Sequence, residues 1–468
     1  MGFAKDALGV RWWAEQEAIA LSVRDHRRTL VRAGHSVGKT HGSAGLALWF
    51  LQSFPESKVI TTAPTRRQVF DLLWREVRSQ FGRAKKPLLG ETFYSKLEIE
   101  PEWFATGFAT KPDETDVAVT FQGYHAKHLL VILDEAPGVP APIWDAVESL
   151  TTGKDNRILA IGNPVSQNDS FAKAEKSGLW NVIHISCLEH PNVVEDRSII
   201  PGAVDRVWVD ERVRAWAQPV EGVPPPEAFE WAGQWHVPSP IFESKVLGRA
   251  PRTEEDVFIP LAWVEAARLR ELEPGEPVVF GVDVGQSAES VVAVRCGDTL
   301  AHIEGWRKRD TMETVGRVIR LARTWKPRVV VVDTVGIGQG VADRLKEQGL
   351  PIEAVNWGLP ARDKERFVNQ RAEWWWALRE RFQEGSISIP DDDVLAGQLS
   401  SQRFAYTSKG QVKAEAKEEM ARRGVDSPDR ADAVVMAFAP VRAGGRKADF
   451  DFMVGKGGYW QGAGTWRE

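Results

Sequence analysis

Residues 33–40 have the composition and spacing of a phosphate-binding loop. Their sequence is Ala33-Gly34-His35-Ser36-Val37-Gly38-Lys39-Thr40, which follows a β-branched run at 29–32 and precedes a helical pattern at 39–52. In such a loop, backbone N–H groups and the N-terminus of the next helix surround the phosphates. We therefore predict an ATP site in which Lys39 reaches the β- and γ-phosphates and Thr40 ligates Mg²⁺.

Two acidic residues, Asp134 and Glu135, end the apolar run at 129–133. In a parallel sheet, this position lies at the carboxyl edge of the strands, beside the phosphate-binding loop. We expect Asp134 to hold the Mg²⁺ shell and Glu135 to polarise the attacking water as general base. The alternative is a strand that ends in two solvated acids.

Five further positions are candidates for the nucleotide site. Asn163, in a Gly-Asn-Pro turn at a strand end, is suited to contact the γ-phosphate or the attacking water, although the tripeptide is also a common turn. Gln16, in a Trp-rich helix before the first strand, is a candidate adenine contact or a surface glutamine. A charge-compensating arginine is also needed, and Arg32, Arg66 and Arg67 are candidates among which the sequence does not choose.

A second set of acids follows in the later half of the chain. Two apolar strand patterns end in Asp283 and Asp333, and a late helix carries Asp429 and Asp432, which are i, i+3 and share a face. Together they predict a carboxylate cage for two Mg²⁺ or Mn²⁺ ions, which would clamp the attacking and leaving oxygens of a phosphodiester. Glu289 is a further candidate ligand. Each aspartate is alternatively a turn former or a helix N-terminal charge.

The elements that must position these residues form two α/β units. In the first, apolar strand patterns at 29–32, 57–63, 129–133, 157–161 and 181–186 alternate with helices and predict a parallel sheet. In the second, strand patterns at 278–283, 290–295 and 299–306 predict an antiparallel meander, followed by a helix at 313–325 and a strand at 328–333. A meander, a helix, a strand and a late helix, with acids at these places, is the layout of a ribonuclease-H-like fold.

The predicted domains follow from this pattern and from composition. They are a P-loop ATPase core (1–190), a Pro- and Trp-rich lid or linker subdomain with little sheet of its own (191–260), a ribonuclease-H-like nuclease domain (261–440) and a flexible Gly-rich tail (441–468).

Composition excludes several classes of protein. No apolar run approaches the ~20 residues of a membrane helix, and two cysteines, Cys187 and Cys296, exclude a disulfide framework and a thiolate zinc site. Net charge is −5, so any nucleic-acid contact must come from local patches such as Arg66-Arg67 or Arg83-Ala84-Lys85-Lys86. We expect a reducing cytoplasm.

Taken together, these motifs resemble the large subunit of a tailed-bacteriophage terminase, the DNA-packaging motor. Further segments that carry the resemblance are 63–69, 121–126, 246–248, 367–373 and 427–433. The resemblance implies a P-loop NTPase domain of the ASCE type that moves double-stranded DNA into a procapsid, and a ribonuclease-H-like nuclease that cuts concatemeric DNA. It implies that Asn163 lies in the coupling segment. Two positions depart from the family pattern: His35 stands where many members have a basic residue, and Glu289 where many have an aspartate.

The same resemblance implies the partners and the location. The partners would be double-stranded DNA, the portal protein and the small terminase subunit, with a homo-oligomeric, pentameric ring on the procapsid and a monomer in solution. The location would be the cytoplasm of the infected bacterial host, outside the mature virion. The alternatives are a helicase-type ATPase–nuclease fusion for DNA repair or recombination, and a structural ATP-binding scaffold. The presence of one phosphate-binding loop argues against the helicase-type fusion, and the complete acid sets argue against the scaffold.

Overall fold

The computed structural model describes residues 2–110, 124–252, 256–285, 289–307, 310–407, 409–423 and 425–440. The chain divides between residues 253 and 254 into two compact units. The predicted tail at 441–468 and residues 121–123 of one family-like segment lie outside the described residues. Within the described parts, no helix combines the length and apolarity needed to cross a membrane.

An eight-stranded sheet forms the centre of the first unit. The strands are β1 (Arg28–Ala33), β2 (Lys58–Ala63), β3 (Glu91–Thr92), β4 (Lys96–Glu100), β5 (Trp103–Ala109), β6 (Leu129–Asp134), β7 (Asn156–Gly162) and β8 (Asn181–Ile185). Their order is β3-β4-β5-β2-β6-β7-β1-β8, parallel from β5 to β8. Because β7 separates β6 from β1, the sheet has the additional strand of ASCE-type P-loop domains, and the predicted class is confirmed.

Helices cover this sheet, which explains why β2 and β6 are buried along their whole length. The helices are α1 (Ala14–Asp25), α2 (Lys39–Ser53), α3 (Trp74–Gly82), α4 (Ala141–Leu150), α5 (Ser170–Lys176), α6 (Pro191–Val194), α7 (Arg206–Trp216) and α8 (Pro240–Lys245). Short π-helical segments are Phe3–Leu8 and Arg67–Leu73, and 3₁₀ turns are Ala136–Gly138 and Cys187–Glu189. The predicted strands and the helix at 39–52 agree with the structure to within one residue at each end.

Two expectations about this unit were wrong or incomplete. Strands β3 to β5 were missed, and they extend the parallel sheet with an antiparallel edge. The segment expected to have little sheet forms a three-stranded antiparallel sheet of β9 (Ala217–Pro219), β10 (Phe229–Trp231) and β11 (Gln234–Pro238). These strands have three to five residues, which is too short for an alternating pattern to stand out.

The second unit has a five-stranded sheet in the order β14-β13-β12-β15-β16. The strands are β12 (Val278–Asp283), β13 (Ser290–Cys296), β14 (Thr299–Trp306), β15 (Val329–Asp333) and β16 (Ile352–Val355), and β17 (Phe404–Tyr406) pairs with β18 (Val412–Ala414). The first three form the predicted antiparallel meander, while β15 is parallel to β12 and β16 is parallel to β15. This arrangement confirms the ribonuclease-H-like fold.

The helices of this unit are α9 (Leu261–Leu269), α10 (Thr311–Trp325), α11 (Gly338–Glu347), α12 (Gln370–Glu384), α13 (Asp393–Ser401), α14 (Lys417–Arg422) and α15 (Asp429–Ala437). A glycine in β12 decides how α15 packs. A Cβ at Gly281 would collide with the carbonyl oxygen of Ala433 and would lie 2.5 Å from the backbone nitrogen of Ala437. The bare strand lets the helix approach closely and brings its acidic first turn to the end of β12.

Candidate functional site

The phosphate-binding loop is shaped by its backbone. Ser36 and Gly38 both have positive φ, 53° and 88°, and the chain enters α2 at Lys39. A Cβ on Gly34 would collide with the thiol of Cys187 and lie 2.8 Å from the carbonyl oxygen of Val246. The glycine is therefore required where the loop packs against neighbouring segments of the same unit.

Lys39 and Asn163 are joined in this loop. The Lys39 ammonium donates to the carbonyl of Gly34 at 2.8 Å and to Oδ1 of Asn163 at 3.0 Å. The Asn163 amide in turn donates to the carbonyl of Ala33 at 2.7 Å. Asn163, the residue after β7, thus holds the lysine at the loop.

Asp134 ends β6 and is almost completely buried, with 2% of its surface exposed. Burial, followed by the charge of Glu135, raises the pKa of Asp134 to about 7, although Lys39 and Thr40 act in the opposite direction. Its Oδ1 has no hydrogen-bond partner among the described residues. A buried carboxylate oxygen of this kind, beside the threonine, fits Mg²⁺ as its missing partner.

Glu135 has a strained backbone, with a φ of 47°. A Cβ on Gly162 of β7 would collide with Pro137 and lie 3.1 Å from the nitrogen of Ala136, so the glycine makes room for this turn. Strain of this kind is retained where the surroundings force it, and it is frequent at catalytic positions. Glu135 is half-buried whereas the adjacent Asp134 is buried, and this partial exposure suits a base that must reach a water molecule.

Gln16 contacts the loop itself. Its amide nitrogen donates to the carbonyl of Gly38 at 2.9 Å, and its oxygen accepts from the backbone N–H of Trp13 at 3.3 Å. Both ends of the amide are therefore engaged, and contact with adenine would require these bonds to be exchanged.

The three candidate arginines differ in their surroundings. Arg32 forms an ion pair with Glu175 at 2.8 Å. Arg66 lies over the ring of Phe70 at 5.2 Å, and Arg67 is exposed. The charge-compensating arginine stays a prediction for these side chains.

In the second unit, the predicted acids gather around a lysine that the sequence analysis did not identify. The Lys417 ammonium lies 3.1 Å from Asp432, 3.7 Å from Asp429 and 3.8 Å from Asp283. Burial raises the pKa of Asp333, and the charge of Lys417 is among the effects that oppose this rise. Lys417 stands in no recognisable motif, because a lysine at the start of a short helix is usually a surface charge.

The acids differ in their preference for a proton. Burial raises the pKa of Asp283 to about 8; Lys417 opposes this rise, and Asp432 adds to it. Burial also acts on Asp432, but Arg371 and Lys417 together hold the pKa of this carboxyl below its ordinary value. Asp432 is therefore the ionised carboxylate of the group, and Asp283 is the carboxyl that would lose its proton when a divalent cation binds.

Helix α12 orients Asp432. Trp375 donates its indole N–H to Oδ1 of Asp432 at 3.1 Å, and Arg371 lies 3.4 Å from the same atom. These two residues are i, i+4 on the helix and share a face. Arg371 also donates to Gln402 at 3.0 Å, so its buried guanidinium is fixed from two sides.

Glu289, considered as a further ligand, has other partners in this structure. Its carboxylate pairs with Arg430 at 3.1 Å. Its backbone N–H donates to Asp429 at 3.1 Å. Glu289 therefore orients Asp429 through its main chain while its side chain neutralises an arginine.

The chemistry of this group fits a divalent cation. Among the described residues, no three acids, histidines or cysteines are already arranged to hold a metal ion, since Lys417 lies between the carboxylates. Yet Oδ2 of Asp283 is buried without a hydrogen-bond partner in the described structure. An all-oxygen donor set with such an unsatisfied atom suits hard cations such as Mg²⁺ and Mn²⁺.

Known proteins resemble the chain at two levels. It is 24% identical over 463 residues to the probable terminase large subunit of Enterobacteria phage P7, covering 91% of this chain and 87% of that protein. It is 25% identical over 303 residues to the terminase large subunit of Thermus phage G20c, covering 60% of this chain and 56% of the relative. No protein-family model matches the chain.

Solved structures include the large terminase of the thermophilic bacteriophage D6E, with 11% identity, a TM-score of 0.41, and coverage of 91% of this chain and 98% of that one. The large terminase nuclease of phage G20c with bound cobalt covers 41% of this chain and 100% of that one, at 18% identity and a TM-score of 0.32. The chain is therefore similar in sequence, along nearly its whole length, to a probable terminase large subunit of a phage.

Proposed function

We propose that this chain is a viral DNA-packaging motor whose first unit hydrolyses ATP to move double-stranded DNA and whose second unit cuts that DNA. The observation that supports it is the placement of two buried, incompletely satisfied carboxylate sites, around Asp134 and Asp283, on separate compact units. The relationship to terminase large subunits over nearly the whole chain agrees with this division. It does not favour a helicase-type fusion.

In the ATPase, Lys39 would exchange its contacts with Gly34 and Asn163 for the β- and γ-phosphates. Bound Mg²⁺, held by Thr40 and Asp134, would supply neutralisation of the phosphate charge. Glu135 would orient the attacking water and accept its proton. Because Asn163 contacts both Lys39 and the loop, loss of the γ-phosphate would change the contacts of Asn163 at the end of β7.

In the nuclease, Asp283, Asp333 and Asp432 would hold two Mg²⁺ or Mn²⁺ ions, with Asp429 as a fourth ligand. The ions would supply Lewis-acid activation of water and stabilise charge on the phosphodiester. Arg371 and Trp375 keep Asp432 in position for this task. Lys417 neutralises the acids until the cations are bound.

The partners that we propose are double-stranded DNA, a portal protein and a small terminase subunit. A homo-oligomeric ring, a pentamer on the procapsid, would surround the DNA, and the chain would act in the cytoplasm of the infected host. These proposals rest on the relationship to terminase large subunits.

Paired variants test the assignment of two sites. Glu135→Ala should abolish ATP turnover and leave Mn²⁺-dependent plasmid cleavage intact, and Asp283→Ala should do the reverse. Each variant is the control for the other, and circular dichroism verifies that both are folded. If both activities fall together in folded variants, the two-site assignment is wrong.

A further inference from the structure

One stretch of the first unit has a charge opposite to that of the whole chain. Between residues 66 and 86 there are seven cations and two acids, a net charge of +5 within a chain of net charge −5. The cations are Arg66, Arg67, Arg75, Arg78, Arg83, Lys85 and Lys86. We call this stretch the basic face.

The basic face is open to solvent and its charge is not neutralised. Six of its cations are exposed and Arg78 is half-buried. None of the seven forms an ion pair within the described parts of the chain. Exposed arginines elsewhere do form them, as Arg24, Arg320 and Arg344 pair with acids at 2.6, 2.6 and 2.7 Å. An uncompensated cluster of like charges is unfavourable by itself and attracts a polyanion.

Packing determines that the cations point outward. Val69, Leu73, Trp74 and Val77 are all buried, and they anchor one side of the segment Arg67–Leu73 and helix α3 in the unit. The opposite side is left to the charged residues. Arg67, Arg75 and Arg78 therefore lie on helical segments that packing holds in place, Arg66 directly precedes the first of them, and Arg83, Lys85 and Lys86 follow the end of α3.

Two aromatic rings lie between Arg66 and Arg78 of the basic face. Phe70 and Tyr94 pack with ring centroids 5.4 Å apart, Arg66 lies 5.2 Å over Phe70, and Arg78 lies 5.4 Å over Tyr94. Tyr94 is 58% exposed. The rings orient the guanidinium groups, and an oriented guanidinium is well matched to phosphate oxygens.

We propose that the basic face is the surface of the ATPase unit that contacts the phosphate backbone of duplex DNA. This inference rests on the proposed function, since it assigns the DNA contact of that motor to named residues. Contacts to phosphates carry no sequence information directly, so this contact would be independent of sequence, as a protein that moves along DNA requires.

The test compares two triple variants of the full chain. The first, R75A/R83A/K86A, removes three exposed cations of the basic face. The control, K154A/K173A/K176A, removes three exposed cations elsewhere on the same unit. Binding of a fluorescent duplex of mixed sequence is measured over a range of salt concentrations, together with ATPase activity with and without DNA.

For the basic-face variant, we expect the slope of log affinity against log salt to fall by up to about 2.7, since each lost phosphate contact removes about 0.9. Its stimulation of ATP turnover by DNA should be lost while basal turnover stays within about twofold of wild type; the control should match wild type in every measurement. Equal affinities and slopes for both variants would overturn the inference while the proposed function survives. Displacement of the duplex by anionic vesicles as readily as by DNA would also overturn it. Absence of ATP turnover and duplex binding in the wild-type chain would overturn both.

Discussion

Arg371 and Asp432 form a buried ion pair behind the carboxylate group. The two charged atoms are 3.4 Å apart, and the side chains are 11% and 3% exposed. The change Arg371→Ala leaves Asp432 with Trp375 and Lys417 as its partners. We expect this variant to lose stability in the second unit when no metal is bound, because a buried carboxylate then lacks much of its compensation.

The expected loss of stability depends on how deeply the ion pair is buried and not on the distance between its charged atoms. Removing one partner of a buried ion pair costs about 3–5 kcal/mol, and the two remaining partners of Asp432 place this case near the lower end, at about 3 kcal/mol. Helix α12 also provides the control. Arg381 pairs with Asp298 at the shorter distance of 2.8 Å, but these side chains are 30% and 56% exposed. Its removal should cost no more than about 1 kcal/mol.

The measurement is urea unfolding of the EDTA-treated chain. Unfolding is monitored by hydrogen exchange in peptides from α15, which reports on the second unit alone. Saturating Mn²⁺ should narrow the gap between Arg371→Ala and wild type, because a divalent cation supplies the missing positive charge. Equal losses for the Arg371 and Arg381 variants would refute the reasoning, since distance and not burial would then set the cost.

Three further predictions concern both sites and the packing between β12 and α15. Gly34→Ala should weaken nucleotide binding at least tenfold in a fluorescence titration, because its Cβ collides with a buried thiol, while Gly82→Ala, which meets nothing within 4 Å, should bind normally. Because burial raises the pKa of Asp283 to about 8, Mn²⁺ must displace a proton at lower pH. The Mn²⁺ affinity should therefore rise with pH by up to about tenfold per unit between about pH 6 and 8, and a flat calorimetric profile would contradict this. Gly281→Ala should destabilise the second unit by about 1–3 kcal/mol in thermal unfolding, whereas Gly316→Ala, in an open position of α10, should be neutral or stabilising.

The sequence by itself predicted the central strands of both sheets and the acids that end three of them. Phosphate binding requires a particular loop between a strand and a helix, so adjacent residues were sufficient to predict a site at Lys39 and Thr40. Asp134, Asp283 and Asp333 were recognisable because each ends an apolar run, and apolar runs of this kind become buried strands. Such features depend on neighbours in the chain, and a pattern in the chain is sufficient to find them.

The tertiary structure decided which charges meet. Lys417 lies more than a hundred residues from Asp283 in the chain, and Arg371 lies 61 residues from Asp432, yet these side chains form one electrostatic group. Nothing in the sequence indicated that the missing side chain of Gly281 allows α15 to pack closely on β12. Burial and proximity determine how strongly a charge acts, and both arise only when distant segments pack together. The sequence therefore named the acids, and only the folded chain shows the cations that compensate them.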